Sequence, residues 1–204
     1  MVVRLSKAGL SASIVGIMSN FLLFLIKLYI GISSNSLAIY CDAVNNLGDT
    51  FACAVALLGF YLVKKLNERK SLRAQSLCTF IISLVITVSG AYFVYNGLER
   101  IMYPLPVTYT RTYAVILSAT VLVKILMCAV YTHFNKKARS SMLKALVLDS
   151  VLDCFVTAFA VMSLLLVAKA NYALDGFFAV ITGSIITVFA IKNITQQSKF
   201  LINE

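Results

Sequence analysis

Apolar residues run along this chain in long blocks, broken by short polar stretches that hold most of its charge. Five blocks have roughly twenty residues or more: Leu10 to Ile32, Ser36 to Val63, Ala74 to Leu98, Thr112 to His133, and Met142 to Ala168. A sixth, shorter block runs from Asp175 to about Ile191. A helix rising 1.5 Å per residue needs about twenty residues to cross a hydrocarbon core of ~30 Å. The pattern therefore predicts an all-α membrane protein with six transmembrane helices at 10–32, 36–63, 74–98, 112–133, 142–168 and 175–191. The short sixth block is counted because an odd number of spans would leave the terminal charges unexplained.

Composition strengthens that reading. The 204 residues are 60% hydrophobic and 13% charged, with a mean hydropathy of +0.90, whereas a soluble domain carries about a quarter charged residues. The first block is too long for the apolar core of a signal peptide and lacks a convincing cleavage site, so it reads as the first span. One set of flanks holds Arg4, Lys7, Lys64, Lys65, Arg69, Lys70, Arg73, Lys136, Lys137, Arg139, Lys144, Lys192 and Lys199; the other holds Arg100, Arg111 and Lys169. Thirteen against three places both termini in the cytoplasm by the positive-inside rule. The net charge of +10 follows from topology and anionic lipid, with no nucleic-acid partner needed. The expected setting is a cell membrane, multi-pass, of a bacterial plasma-membrane type.

The organisation is that of one transmembrane domain over residues 1–204, with no expected C-terminal cytoplasmic domain. Pro104 and Pro106 mark a stiff extracytoplasmic turn. Cys41, Cys53, Cys78, Cys128 and Cys154 are odd in number, lie in apolar spans and form no CxxC pair, which reads as reduced core thiols. His133 stands alone at the cytoplasmic end of the fourth span.

Against this apolar ground stand Asp42, Asn45, Asn46, Asp49, Asp149 and Asp153. A carboxylate at the centre of a span costs ~2.5–3.5 kcal/mol, so Asp49, Asp149 and Asp153 together cost on the order of 10 kcal/mol. Asn45 and Asp49 are four apart on the second helix, and Asp149 and Asp153 are four apart on the fifth, so each pair shares a face. Two such faces turned together present four oxygen-bearing side chains to one point near the middle of the bilayer, the arrangement of a bundle-core cation site. Neutral groups such as Asn46 or Thr157 are accounted for as interhelical hydrogen bonds. Three carboxylates with no basic residue on their faces need a cation or protons, because neighbouring anions cannot all stay ionised in a low dielectric.

These residues also carry a resemblance. The run Ser36-Leu37-Ala38-Ile39-Tyr40-Cys41-Asp42-Ala43-Val44-Asn45-Asn46-Leu47-Gly48-Asp49 resembles the second-helix signature of the cation diffusion facilitator family, which reads like SLALLADALHNLSD. The run Lys144-Ala145-Leu146-Val147-Leu148-Asp149-Ser150-Val151-Leu152-Asp153 is similar to the fifth-helix signature, with an alanine four residues before a His-or-Asp xxxAsp pair. Lys124 and Asp175-Gly176 also fit. The resemblance implies six helices, a homodimer, and proton-coupled export of a divalent metal ion, with the family's four metal positions on Asn45, Asp49, Asp149 and Asp153. Zinc exporters commonly carry His at the leading positions; Asn45 and Asp149 make this set similar to the manganese-exporting branch. The chain departs from the family in three ways. The Lys64 to Arg73 loop lacks the Gly-His-Gly-Lys type segment, the loop after the fourth span has no His-rich tract, and residues 1–204 are not expected to include the cytoplasmic metal-sensing domain.

Ligand chemistry points in the same direction, since an amide oxygen and three carboxylates form an all-oxygen shell that suits Mn²⁺ better than Zn²⁺. Manganese is favoured over iron and zinc as the transported ion; no resident cofactor is expected. An emptied site would take up protons, which an incoming ion displaces. Asp42, at i, i+3, i+7 with Asn45 and Asp49, could line the exit path. Cys41 reads as a packed small residue and Asp175 as an N-terminal cap. Lys124 is deep enough to need a partner, with a structural ion pair as the default reading and a role in gating as the alternative, and Lys27 is expected to snorkel outward. Ser83, Gly90 and Gly97 repeat every seven residues on the third helix, a candidate dimer seam that packing within the chain explains nearly as well.

Two other functions compete. An intramembrane aspartyl protease needs two membrane-embedded Asp residues, and Leu47-Gly48-Asp49 partly matches its Gly-x-Gly-Asp motif, but Leu148 stands where its Tyr-Asp partner would need tyrosine. A non-transporting subunit could hold metal only to stabilise itself. The protein is expected not to be an enzyme.

Overall fold

The computed structural model describes residues 2–62, 68–138, 141–167 and 173–202. The side chains of some helical residues, including Cys78, Lys144 and Asp149, lie outside the described residues, as does much of the loop from Lys64 to Arg73. Among the described residues there are six α-helices: α1 (Val2–Ser34), α2 (Leu37–Leu62), α3 (Glu68–Met102), α4 (Arg111–Ala138), α5 (Ser141–Val167) and α6 (Ala173–Ile202). Three stretches of the described residues are long and apolar enough to cross a membrane: Gly9–Ser34, Arg111–Lys136 and Leu174–Phe200.

Several helices outrun the apolar blocks. α1 takes in Arg4 and Lys7, α3 begins at Glu68 and includes Arg69, Lys70 and Arg73, and α6 continues through Lys192 and Lys199. Hydropathy marks only the stretch suited to lipid. Once nucleated, the hydrogen-bond ladder extends through good helix formers such as Lys, Arg and Gln beyond that stretch.

Polarity is inverted relative to a soluble bundle. Large apolar side chains such as Met18, Val88 and Leu126 face outward, whereas Lys27, Asp42, Lys124 and Asp175 are fully buried. Two apolar clusters flank the buried polar layer along the bundle. One gathers Leu23, Cys53, Met127 and Tyr131; the other gathers Ile30, Ile39, Leu117 and Leu164.

The α1–α2 turn sets the axial position of α2. Asn35 adopts φ 55°, and the bonds from Ser36 N–H to Gly31 O (3.0 Å) and from Asn35 N–H to Ile32 O (3.2 Å) form a Schellman cap on α1. Asparagine tolerates this left-handed backbone better than most residues. Ser36 then caps α2, its Oγ accepting from Ile39 N–H at 3.4 Å. The two preceding amides are taken by Asp175, which accepts from Leu37 N–H at 2.8 Å and Ala38 N–H at 3.4 Å. The expectation for Asp175 is thus corrected: it begins α6 but caps α2. Its carboxylate also accepts from Ser36 Oγ (2.5 Å) and Ser163 Oγ (3.2 Å) and faces Arg100 Nε at 3.5 Å. Arg100 in turn donates through Nη2 to the Asn35 carbonyl. The turn holding Pro104 and Pro106 is pinned to this end, with Asn35 Nδ2 donating to Pro106 O at 3.0 Å and Thr108 N–H to Ser34 O at 2.8 Å.

The small residues of α3 are used within the chain. A methyl group on Gly97 would fall 3.0 Å from the Gly176 carbonyl oxygen, and one on Gly90 would fall 3.1 Å from that of Gly183. α3 and α6 therefore meet backbone to backbone along two glycine pairs. Gly90 and Gly97 form this seam in place of a dimer seam; small residues are what allow such an approach.

Candidate metal centre

α2 and α5 run antiparallel, so residues whose numbers rise on one fall on the other. Along the bundle this pairs Asp42 with Thr157 and Asn45 with Asp153. The structure brings the latter two together: Asn45 Nδ2 donates to Asp153 Oδ1 at 2.7 Å. Asp49, one turn along α2, is joined to Asp153 through a third residue. Lys124 of α4 donates from its single ammonium to Asp49 Oδ2 at 3.0 Å and to Asp153 Oδ2 at 2.6 Å. It also donates to Asn20 Oδ1 of α1 at 2.9 Å. Three N–H groups meet three oxygens, so the ammonium is satisfied without water.

This corrects the expectation that no basic residue shares the carboxylate faces. The helical period tells which residues share a face of α2, but not which neighbouring helix aims a lysine at that face. Lys124 is 0% exposed, and a buried cation of this kind persists only when paired and hydrogen-bonded.

A second ion pair lies toward the α1–α2 turn. Lys27 of α1 reaches both carboxylate oxygens of Asp42 at 2.9 Å and Thr157 Oγ1 at 2.8 Å. Thr157 passes its own hydrogen to Asp42 Oδ1 at 3.2 Å, and Asn46 Nδ2 donates to Asp42 O at 2.7 Å. Lys27 therefore does not snorkel. A counter-ion lies closer than the interface, and the side chain points into the bundle. Asp42 is fully buried against this lysine.

Of the predicted site residues, Asn45, Asp49 and Asp153 converge; Asp42 belongs to the neighbouring pair; the side chain of Asp149, one turn from Asp153 on α5, lies outside the described residues. Among the described residues no three His, Cys, Asp or Glu side chains cluster in a way that would hold a metal. Among the described residues the centre holds two carboxylates, the Asn45 amide and the Lys124 ammonium. The Asn45 amide turns its nitrogen toward Asp153, so it would have to reverse to offer its oxygen to a cation. Cys41 packs with Phe93 and Ala179, and His133 is exposed on α4 away from the centre.

Thr157 makes interhelical hydrogen bonds as expected, and Asn20, which the sequence reading missed, completes the Lys124 network. Asn20 and Lys27 are seven residues apart in an otherwise apolar stretch of α1, hence on one face. That spacing was a usable signal for an inward polar stripe.

Residues 13–201 match the family described as the cation efflux transmembrane domain. The chain is similar to the manganese efflux system protein MneS of Bacillus subtilis (strain 168), 26% identical over 155 residues that cover 74% of this chain and 53% of that protein. The chain thus spans about half the length of this curated relative.

Proposed function

This chain belongs to the cation efflux family, the cation diffusion facilitators of the sequence resemblance, and on that premise we propose that it exports a divalent metal ion, manganese foremost, from the cytoplasm in exchange for protons. The members of this family are transporters, and its transmembrane domain makes this a membrane protein. The observation that carries the proposal is the convergence of Asp49 from α2 and Asp153 from α5 on one cation position, both within 3.0 Å of the Lys124 ammonium. Two helices that present carboxylates to a single point can hand an ion between two faces of the membrane by small relative movements. The proposed ligand set is Asn45, Asp49, Asp149 and Asp153. The proposed topology is six spans with both termini cytoplasmic, and the proposed assembly is a homodimer in the lipid bilayer. Manganese rests on the all-oxygen donors and on the name of the similar protein; iron and zinc are the alternatives. A cation held between Asp49 and Asp153 also weighs against the protease reading, in which two carboxyl groups share a proton and a water.

The test is uptake of Mn²⁺, Fe²⁺ and Zn²⁺ into proteoliposomes under an imposed pH gradient. Wild type is expected to accumulate Mn²⁺ fastest, and Asp49→Ala, Asp149→Ala and Asp153→Ala each to abolish accumulation while still inserting. Full transport by any of the three removes that residue from the site. Metal bound without turnover in wild type would favour a structural ion.

A further inference from the structure

Lys124 occupies the position that the export reading gives to the transported ion. Its ammonium sits among one oxygen each of Asn20, Asp49 and Asp153, at 2.9, 3.0 and 2.6 Å. Those oxygens come from α1, α2 and α5, and the cation comes from α4 on a flexible stem. A divalent ion ligated by Asp49 and Asp153 needs the same lone pairs. Two cations on the same two carboxylates also repel each other strongly in a low dielectric. The ion and the ammonium therefore cannot hold these carboxylates together.

Charge bookkeeping leads to the same point. With Asp149, which the export reading adds to the site, the spans set Asp42, Asp49 and Asp153 against Lys27 and Lys124. The two lysines leave two negative charges, which one divalent ion balances. Lys27 is committed to Asp42 and Thr157, so Lys124 is the lysine that the ion meets. Asn20 gives it a place to remain: the amide oxygen on α1 is the one partner that the ion does not claim.

We propose that Lys124 is a tethered counter-ion of the transport site, which holds Asp49 and Asp153 when no metal is bound, withdraws toward Asn20 when metal arrives, and returns to expel it. This rests on the export reading and assigns that site a built-in competitor. Lysine suits the part because it is a compact charge on a long, rotatable stem. A merely structural ion pair would instead leave a damaged, weaker site when removed.

The experiment uses the full chain, with Mn²⁺ as the probe, in detergent for equilibrium binding and in proteoliposomes for transport. Lys124→Gln should bind Mn²⁺ about tenfold or more tighter than wild type, with KM falling and the maximal rate falling, because release loses its competitor. Lys124→Arg, which keeps the charge, should bind Mn²⁺ no tighter than wild type. Should Lys124→Gln fail to fold, the comparison moves to Lys124→Gln/Asp49→Asn against Asp49→Asn, where each sign loses one charge; the double variant should again bind more tightly. Unchanged or weaker Mn²⁺ binding on removal of the lysine overturns the inference while leaving the export reading intact. A wild-type protein that binds none of Mn²⁺, Fe²⁺ and Zn²⁺ overturns the export reading and this inference with it.

Discussion

The Lys27–Asp42 pair offers a test that does not depend on transport. Lys27 reaches both oxygens of Asp42 at 2.9 Å, and both side chains are buried. At an effective dielectric of ~20 the gross attraction is on the order of 6 kcal/mol, most of it offset by desolvation of the two ions. Removing one partner leaves the other charge alone in the bundle, at a cost of about 3–5 kcal/mol. Replacing both with apolar residues of similar size removes the attraction and the desolvation together and should be close to neutral. Lys27→Met and Asp42→Leu are therefore each expected to destabilise by ~3 kcal/mol or more, and the double variant by ~1–2 kcal/mol, the residue reflecting the partners lost by Thr157 and Asn46. The measurement is the unfolding free energy in mixed micelles titrated with denaturing detergent, for wild type, both single variants and the double. A double variant as unstable as the sum of the singles would show that the two residues do not interact. Single variants within ~0.5 kcal/mol of wild type would refute the burial argument itself.

The remaining predictions concern other elements. Gly183→Leu should loosen the α3–α6 seam and destabilise by ~1–3 kcal/mol, since even a methyl group there would lie 2.9 Å from the Gly90 carbonyl oxygen; an unaffected unfolding midpoint would place that seam elsewhere. A single cysteine near Pro104 should be labelled from outside the cell and one near Lys137 should not, and the reverse pattern would invert the export direction. Asn45→His should raise the initial rate of Zn²⁺ uptake relative to Mn²⁺, because it adds a nitrogen that zinc favours, whereas Asn45→Asp should not. An unchanged ratio in Asn45→His takes position 45 out of direct contact with the ion.

The helices were legible because lipid imposes a coarse rule that needs no knowledge of neighbours: about twenty apolar residues per crossing. Their ends were less so, as in α3, where Arg69, Lys70 and Arg73 are helical yet too charged to count as apolar. The pairing of Asn45 with Asp153 was also legible, because two i, i+4 pairs on antiparallel helices can meet in only a few registers. Lys124 is legible as deep and in need of a partner but not as to which partners, and Lys27, expected to snorkel outward, turns inward instead. Each lies on a helix whose rotation about its own axis is fixed by contacts with two others, and that information is spread over α1, α2, α4 and α5. Asp175 shows the same limit in a cap: the first turn of α6 predicts a capping role, but only tertiary structure reveals that the amides it serves are those of Leu37 and Ala38.

The two kinds of junction in the bundle bear on how such a site could alternate. α3 and α6 touch through the backbone at Gly90, Gly97, Gly176 and Gly183, so sliding them apart would cost close van der Waals contact with nothing to replace it. The junctions among α1, α2, α4 and α5 combine two apolar clusters with two long lysines, each reaching across to residues of two other helices or more. A lysine stem can follow a shift of an ångström or two and keep its partners, or exchange one acceptor for another at little cost so long as every charge stays paired. Under the proposed alternation the lysine contacts are the ones that re-form most cheaply, whereas the glycine-paired backbones of α3 and α6 resist sliding. Asp175 on α6 holds the end of α2 by two amides, which ties that end of α2 to the α3–α6 pair.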